Sequence, residues 1–337
     1  MKLNESMIYD SDGWVNFDYI MSFPYTFIVT VGGRGIGKTY GGLKWIWQNV
    51  DKSVYMRRTG TQLDTIKSTQ LHPLYKLQTD GLLEFNNEPI VKNVMGSYDT
   101  NGKCRIYNTA LSLISSIRGV DYSDVKFVFY DEYIKETHEK SIRGEYKAFC
   151  NTYETINRNR ELIGESPVRV LLCSNSEDIF NPILDGLNVV NDFVNMQKNN
   201  ESIKAIENRS ILLINFRNSP ISERKNKTAV SSLLNSEIQG IMTGNNFIIP
   251  EVPIDIKPFI ELVPICTVCT LTFYRNKGNR KIYCYDKTVK GIDTYNSYDI
   301  YRFARRYQNI IEAYNDNKII YDSYGTFVRL KTILKEG

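Results

Sequence analysis

Histidine is scarce in this 337-residue chain: His72 and His138 are the two it has, far apart in sequence. That scarcity argues against a catalytic histidine pair. The six cysteines lie at 104, 150, 173, 266, 269 and 284, and only Cys266 and Cys269 have ligand-like spacing. No second pair or nearby histidine completes a zinc site, and the apolar run from Val263 to Phe273 reads as a strand carrying buried thiols. No apolar run approaches the ~20 residues needed to span a bilayer, and the opening MKLNESMIYD lacks the apolar core of a secretory signal. A cytoplasmic chain with no membrane partner is expected. An excess of one charge is missing too: 42 Lys and Arg against 38 Asp and Glu leave +4. A nucleic-acid partner would have to be met by local patches. The length suggests two domains, or one with an appendage.

What is present is organised around Phe27 to Thr39, FIVTVGGRGIGKT. Ile28, Val29 and Val31 read as a buried strand that passes into a glycine-rich turn. From Gly32 onward the residues fit the phosphate-loop pattern G-x-x-x-x-G-K-[ST] without a gap. Glycines at 32, 33, 35 and 37 let the backbone turn its N–H groups inward, and the helix from Tyr40 to Asn49 adds its positive end. Lys38 would reach the β- and γ-phosphates and Thr39 would ligate Mg²⁺. The candidate nucleotide contacts are Gly32, Gly33, Arg34, Gly35, Ile36, Gly37, Lys38, Thr39 and Tyr40. The strand before and the helix after favour nucleotide binding over a turn that binds nothing.

Val125 to Glu132, VKFVFYDE, is a hydrophobic strand closing on two adjacent acids, as a Walker B segment does. Asp131 would hold Mg²⁺, with Thr39, while Glu132 polarises the attacking water; the glutamate argues for hydrolysis. Ahead of it, Ser53 to Arg58 reads as a strand ending in paired arginines, either ligand-binding groups or a solvated strand end. Val94 to Tyr98 and Cys104 to Tyr107 suggest a hairpin about Asn101-Gly102. Tyr146 to Arg160 reads as a helix ending in two arginines, and Arg158 or Arg160 is a candidate for stabilising transition-state charge on a neighbouring subunit. Their ordinary alternative is a solvated helix end. Pro167 to Cys173 is a further buried strand running into Ser174-Asn175-Ser176, where Asn175 is either a sensor of the γ-phosphate or part of a turn. The scattered aromatics of residues 1–26 (Tyr9, Trp14, Phe17, Tyr19, Phe23, Tyr25) read mainly as core, with stacking of an adenine ring on one of them the lesser alternative.

Residues 1–217 are taken as one domain, 218–248 as a basic linker with a short helix, and 249–337 as a smaller domain. The linker's SERKNKT run is a solvated connector or a DNA-phosphate contact. In the last part, Cys266 to Tyr274 and Lys281 to Tyr285 read as a hairpin, and Tyr298 to Tyr314 as one amphipathic helix.

Together GGRGIGKT, YMRR, FVFYDEYIKE, NRNRE and the strand ending CSN resemble, in order and spacing, the DNA-packaging ATPases (encapsidation proteins) of small tailed bacteriophages of the phi-29 type. The similarity reaches the SERKNKT run and is weakest in the last part of the chain. The resemblance implies an α/β fold: an ASCE-type (RecA-like) P-loop NTPase domain with a mainly parallel sheet, then a small α+β RNase H-like domain lacking nuclease activity. It implies an ATP- and Mg²⁺-dependent translocase of double-stranded DNA, in a ring of usually five subunits at the portal vertex of the prohead in the host cytoplasm, with a structural RNA a possible partner. One arginine of NRNRE would act in trans, and Arg118 falls near another basic position of the family, on a looser match. Two other classes compete: a monomeric P-loop switch or kinase, for which no acceptor or switch signature stands out, and a terminase-like nuclease. Val268 to Tyr274 carries no acid where an active RNase H-type nuclease needs one, which favours a nuclease-dead domain.

Overall fold

The structure is a computed structural model that describes all residues except 1–2, 67–70, 82–90, 94–95, 100–101, 114–118, 137, 180, 218, 226–246, 248, 250 and 337. The chain forms two compact units: Met1–Asp178 with Met196–Phe247, and Ile179–Asn195 with Ile248–Gly337. The expected division was 1–217, a linker at 218–248, and 249–337; here Ile179–Asn195 groups with the part that starts at Ile248. The stretch Ile179–Asn195, inserted between two strands of the first unit, clusters with the C-terminal part. There Asn191 Oδ1 accepts from Gly325 N–H at 2.8 Å and Asp185 pairs with Arg329 at 3.2 Å.

In the first unit the strands are β1 (Phe27–Gly32), β2 (Ser53–Arg57), β3 (Val91–Asn93), β4 (Gly96–Tyr98), β5 (Cys104–Ala110), β6 (Phe127–Asp131), β7 (Arg169–Asn175), β8 (Ile203–Ile206) and β9 (Ile211–Phe216). Among the described residues they make one nine-stranded sheet in the order β3-β4-β5-β2-β6-β7-β1-β9-β8. The stretch from β5 to β9 is parallel throughout, and antiparallel pairs close both edges. Parallel strands are covered on both faces, which is why the apolar runs of β1, β6, β7 and β9 are nearly continuous rather than alternating. Leu43 and Ile46 of the helix Lys38–Asn49 join Ile28, Tyr55, Phe129 and Leu171 in the core. Burying each such aliphatic side chain contributes about 2 kcal/mol.

Register positions the loop ends. Gly32 lies opposite Asn175 on β7, and Asp131 of β6 lies opposite Cys173 on the same strand. The carboxyl tips of β1, β6 and β7 therefore come together, the place where open parallel sheets bind ligands. Gly32 is required there by space: a Cβ would stand 2.6 Å from Phe216 Cβ on β9.

Several expectations need correction. The hairpin about Asn101-Gly102 forms between β4 and β5, although Val94 lies outside the described residues. The basic connector contains a short helix, Pro220–Lys225, in which Ile221 and Ser222 are buried while Glu223 and Arg224 are exposed; most of 218–248 lies outside the described residues. Arg118 lies outside them too.

In the second unit, β10 (Leu262–Val268), β11 (Leu271–Asn276), β12 (Ile282–Tyr285), β13 (Asp293–Tyr295) and β14 (Ile320–Tyr321) form a mixed sheet ordered β13-β10-β11-β12-β14. The run Val263 to Phe273 is thus two strands, not one. Val268 pairs with Leu271 across a two-residue turn in which Cys269 adopts φ 54°, a conformation usually marked by Gly or Asn and hidden here by a cysteine. The helix expected over Tyr298 to Tyr314 is broken at Tyr307 (φ −117°, ψ 51°) into Ile300–Arg306 and Gln308–Asn315. The apolar period continues across the break, so the sequence pattern does not reveal it.

Candidate functional site

A cavity of about 320 Å³ opens at the carboxyl tips of β1, β6 and β7, bounded by Arg34, Gly35, Gly37, Lys38, Thr39, Tyr40, Asp131, Glu132, Ser174 and Asn175. The glycine-rich loop forms one wall. Gly35 and Gly37 have φ 68° and 93°, so the turn into the helix uses backbone that side chains rarely adopt. Ile36 is buried, and its carbonyl accepts from Val15 N–H at 3.3 Å, which ties the loop to the N-terminal segment.

Lys38 is 7% exposed and folds back over its own loop, donating to Gly32 O at 3.1 Å, Gly33 O at 2.6 Å and Asn175 Oδ1 at 3.0 Å. The two carbonyls and the amide oxygen hold the ammonium where an anionic ligand would lie against it. Arg34, at the rim, pairs with Glu177 at 3.0 Å and with Glu136.

Across the cavity Asp131 is buried, and its Oδ2 accepts from Thr39 Oγ1, Tyr55 OH and Arg57 Nη1, each at 2.9 Å. The other Arg57 nitrogen, Nη2, pairs with Glu132, so one guanidinium spans both acids. Glu132 has φ 55°, an uncommon conformation for a residue with a side chain, and donates its N–H to Cys173 O at 2.8 Å. This turn gives two consecutive carboxylates a common partner although a strand sends neighbours to opposite faces. Burial pushes the Glu132 carboxyl above the usual carboxylate range; Arg57 opposes that shift and Asp131 adds to it.

Of the residues singled out from sequence, Arg34, Gly35, Gly37, Lys38, Thr39, Tyr40, both acids and Asn175 line this one cavity, while Gly32 and Gly33 meet it through Lys38, and Ile36 is buried. Arg158 and Arg160 do not line it. Arg160 is 5% exposed and gives Nη2 to the carbonyls of Tyr122, Ser123 and Val125, ahead of β6. That is the amino end of the strand, roughly 15–20 Å from Asp131 at ~3.3 Å per residue. Arg158, at the C-cap of the helix Glu145–Asn157, donates to Val120 O at 2.8 Å and keeps its side chain 46% exposed.

Tyr55 was missed, whereas Arg57 is one of the paired arginines that the sequence leaves as either ligand-binding groups or a solvated strand end. Tyr55 and Arg57 are two apart on β2, and β2 pairs with β6, so both aim at Asp131. Their period-2 spacing was visible in SVYMRR; the pairing of β2 with β6 was not. Arg58 turns the other way and is fully buried against Glu145 at 2.6 Å, a structural ion pair rather than a ligand group. In both units the described residues include no group of three or more His, Cys, Asp or Glu side chains placed to hold a metal; Cys266 is buried on β10 and Cys269 sits in the turn.

These features define a mixed α/β protein with a large, mainly parallel sheet and a glycine-rich loop facing two acids. Residues 3–261 match the family model of the podovirus DNA encapsidation protein (Gp16), and the chain belongs to that family. Among solved structures it is similar to a chain of the phage Phi-28 gp11 DNA packaging motor, with a TM-score of 0.67, 20% identity, and coverage of 97% of this chain and 99% of that one. It is also similar to a chain of the bacteriophage Phi-29 viral genome packaging motor assembly, with a TM-score of 0.62, 16% identity, and coverage of 96% and 99%. A search of curated proteins gives no significant match. Among the described residues no helix is long and apolar enough to cross a membrane.

Proposed function

We propose that this chain is an ATP-driven translocase of double-stranded DNA that packages the viral genome into the prohead, hydrolysing ATP at the subunit interfaces of a ring, usually of five, at the portal vertex. Membership of the encapsidation family supports the packaging role. The observation that carries the enzymatic reading is the contact of Thr39 with Asp131 beside Glu132, facing the loop lysine across one cavity.

The donor set suits a magnesium nucleotide. Thr39 Oγ1 and Asp131 Oδ2 are hard oxygen donors 2.9 Å apart, a pair that a small divalent cation accepts together with phosphate oxygens. When bound, Mg²⁺ supplies charge neutralisation at the phosphates. Lys38 exchanges the Gly32 and Gly33 carbonyls for the β- and γ-phosphate oxygens of ATP, and the loop N–H groups hold the same anion. Glu132, freed from Arg57, orients the attacking water and accepts its proton; the upward push of burial on its carboxyl improves it as a base. Asn175, already bonded to Lys38, reports the presence of the γ-phosphate to β7.

Completion in trans falls to Arg158, since Arg160 is committed to three carbonyls within its own chain. The second unit is assigned the RNase H-like, nuclease-dead role: along β11 the residues Leu271 to Tyr274 offer no acid for a cleavage metal. DNA is gripped through phosphates, because a packaging motor must accept every sequence. The test is ATP turnover and nuclease-protected DNA measured with purified proheads. Turnover that rises with duplex DNA and protection that requires ATP are expected. Turnover indifferent to DNA would leave an ATPase and remove the motor.

A further inference from the structure

A second cavity, of about 590 Å³, adjoins the first and shares Gly35, Gly37 and Tyr40 with it. Its lining combines the apolar and aromatic Trp14, Val15 and Tyr40 with the charged Asp10, Lys44, Lys76 and Asp80. Trp14, 43% exposed, lines this cavity.

Its position is built rather than incidental. Tyr9 and Val15 form an antiparallel bridge, closing a tight loop in which Asp10 Oδ1 accepts from Asp12 N–H at 3.0 Å and Trp14 N–H at 2.9 Å. Gly13, at φ 88°, lies where a Cβ would meet Pro220 Cβ at 2.7 Å, which anchors the loop. Val15 N–H then reaches Ile36 O, so the segment is fastened to the glycine-rich turn. The indole rests directly on that turn: a Cβ on Gly37 would stand 3.3 Å from Trp14 Cε3. On the far side Tyr40 is fixed by donating to Asp80 Oδ2 at 2.9 Å, and Lys76 holds the same carboxylate at 3.0 Å.

We propose that this cavity takes the purine base of the nucleoside triphosphate, laid against the Trp14 indole, with Tyr40 as the opposite wall. The proposal rests on the reading of the first cavity as a phosphate site. A ligand whose triphosphate lies along the loop must send its ribose and base out past Gly37 and Tyr40, and the adjoining space offers the Trp14 and Tyr40 rings for stacking, with polar groups of Asp10, Lys44, Lys76 and Asp80 for the ribose and the base edge. Trp14 would also give the loop a means of favouring nucleotides over inorganic polyphosphate, since an indole offers nothing to a phosphate chain.

The test compares ATP with inorganic tripolyphosphate, by calorimetric titration of the full-length wild type, W14A and W14F with Mg²⁺ present. W14A is expected to weaken ATP roughly 10-fold and W14F less, with tripolyphosphate affinity unchanged in both. The unchanged tripolyphosphate arm shows at the same time that the loop is folded. Wild-type affinity of W14A for ATP overturns the base site and leaves the phosphate site standing. Equal weakening of ATP and tripolyphosphate also overturns it, because Trp14 then acts by propping the loop. A wild type that binds neither probe removes the phosphate reading itself.

Discussion

Arg57 decides the chemistry of the resting site. One guanidinium bridges both carboxylates and holds them close together in a partly buried place where two neighbouring acids would otherwise repel. In the proposed mechanism Glu132 is the group that turnover needs and binding does not. E132Q is expected to lower ATP turnover by roughly 10²- to 10⁴-fold while ATP affinity changes by less than about threefold. Steady-state assay and titration of the same preparation check it, and a large loss of affinity would assign Glu132 to binding. Arg58, its neighbour in sequence, has no such task. It is fully buried with Glu145, whose carboxyl is pushed up by burial and pulled back by Arg58. Removing one partner strands the other, so E145A is expected to cost about 3–5 kcal/mol in denaturant unfolding, and the double change R58M/E145L to recover most of it. Equal loss in the single and double variants would show that packing, not the stranded charge, sets the cost.

At the scale of elements, His72 shows how a scarce residue serves a helix. Its Nδ1 accepts from Leu74 N–H at 3.1 Å and caps the helix Pro73–Thr79, a bond that a protonated ring cannot make. Burial pushes the imidazole down from 6.5 to about 4. Between those values the unfolded chain binds the proton and the folded chain does not, so stability falls as pH falls from 6.5 toward 4, and the contribution is flat above 6.5. The loss across the window is about 3 kcal/mol. H72N keeps an acceptor at the cap without titrating, and its urea midpoint is expected to change less than that of the wild type between pH 7 and pH 5. Identical acid slopes would exclude His72 as the source.

The central strands of the first unit were legible because parallel strands are apolar on both faces, as FIVTV and FVFYD show; the antiparallel edge strands β3 and β8 were not. The β10–β11 turn and the break at Tyr307 were not, since a cysteine occupies the left-handed turn position and the apolar spacing runs on through Tyr307.

At the scale of the molecule, the arginines set the proposed division of labour between subunits. Arg158 is half exposed at the amino end of the sheet, held by Val120 O, Thr155 O and Asp121, and Arg160 is locked inward, so the former is the one proposed to serve a neighbouring chain. In rings mixed with wild-type subunits, R158A is expected to depress packaging more steeply than its mole fraction, whereas R160A should act mainly by destabilising its own fold. A linear fall with R158A would argue for a self-sufficient site. By itself the sequence determined the loop, the strand that bears two acids and the order in which they occur, because glycine spacing and apolar runs are local properties of the chain. Only the tertiary structure decided that Arg57 bridges those acids, that Trp14 stands beside Gly37, that Arg160 is buried, and that Ile179–Asn195 joins the C-terminal unit. Each of these depends on which distant strands and segments become neighbours, a choice made by packing across the whole chain and written in no short stretch of it.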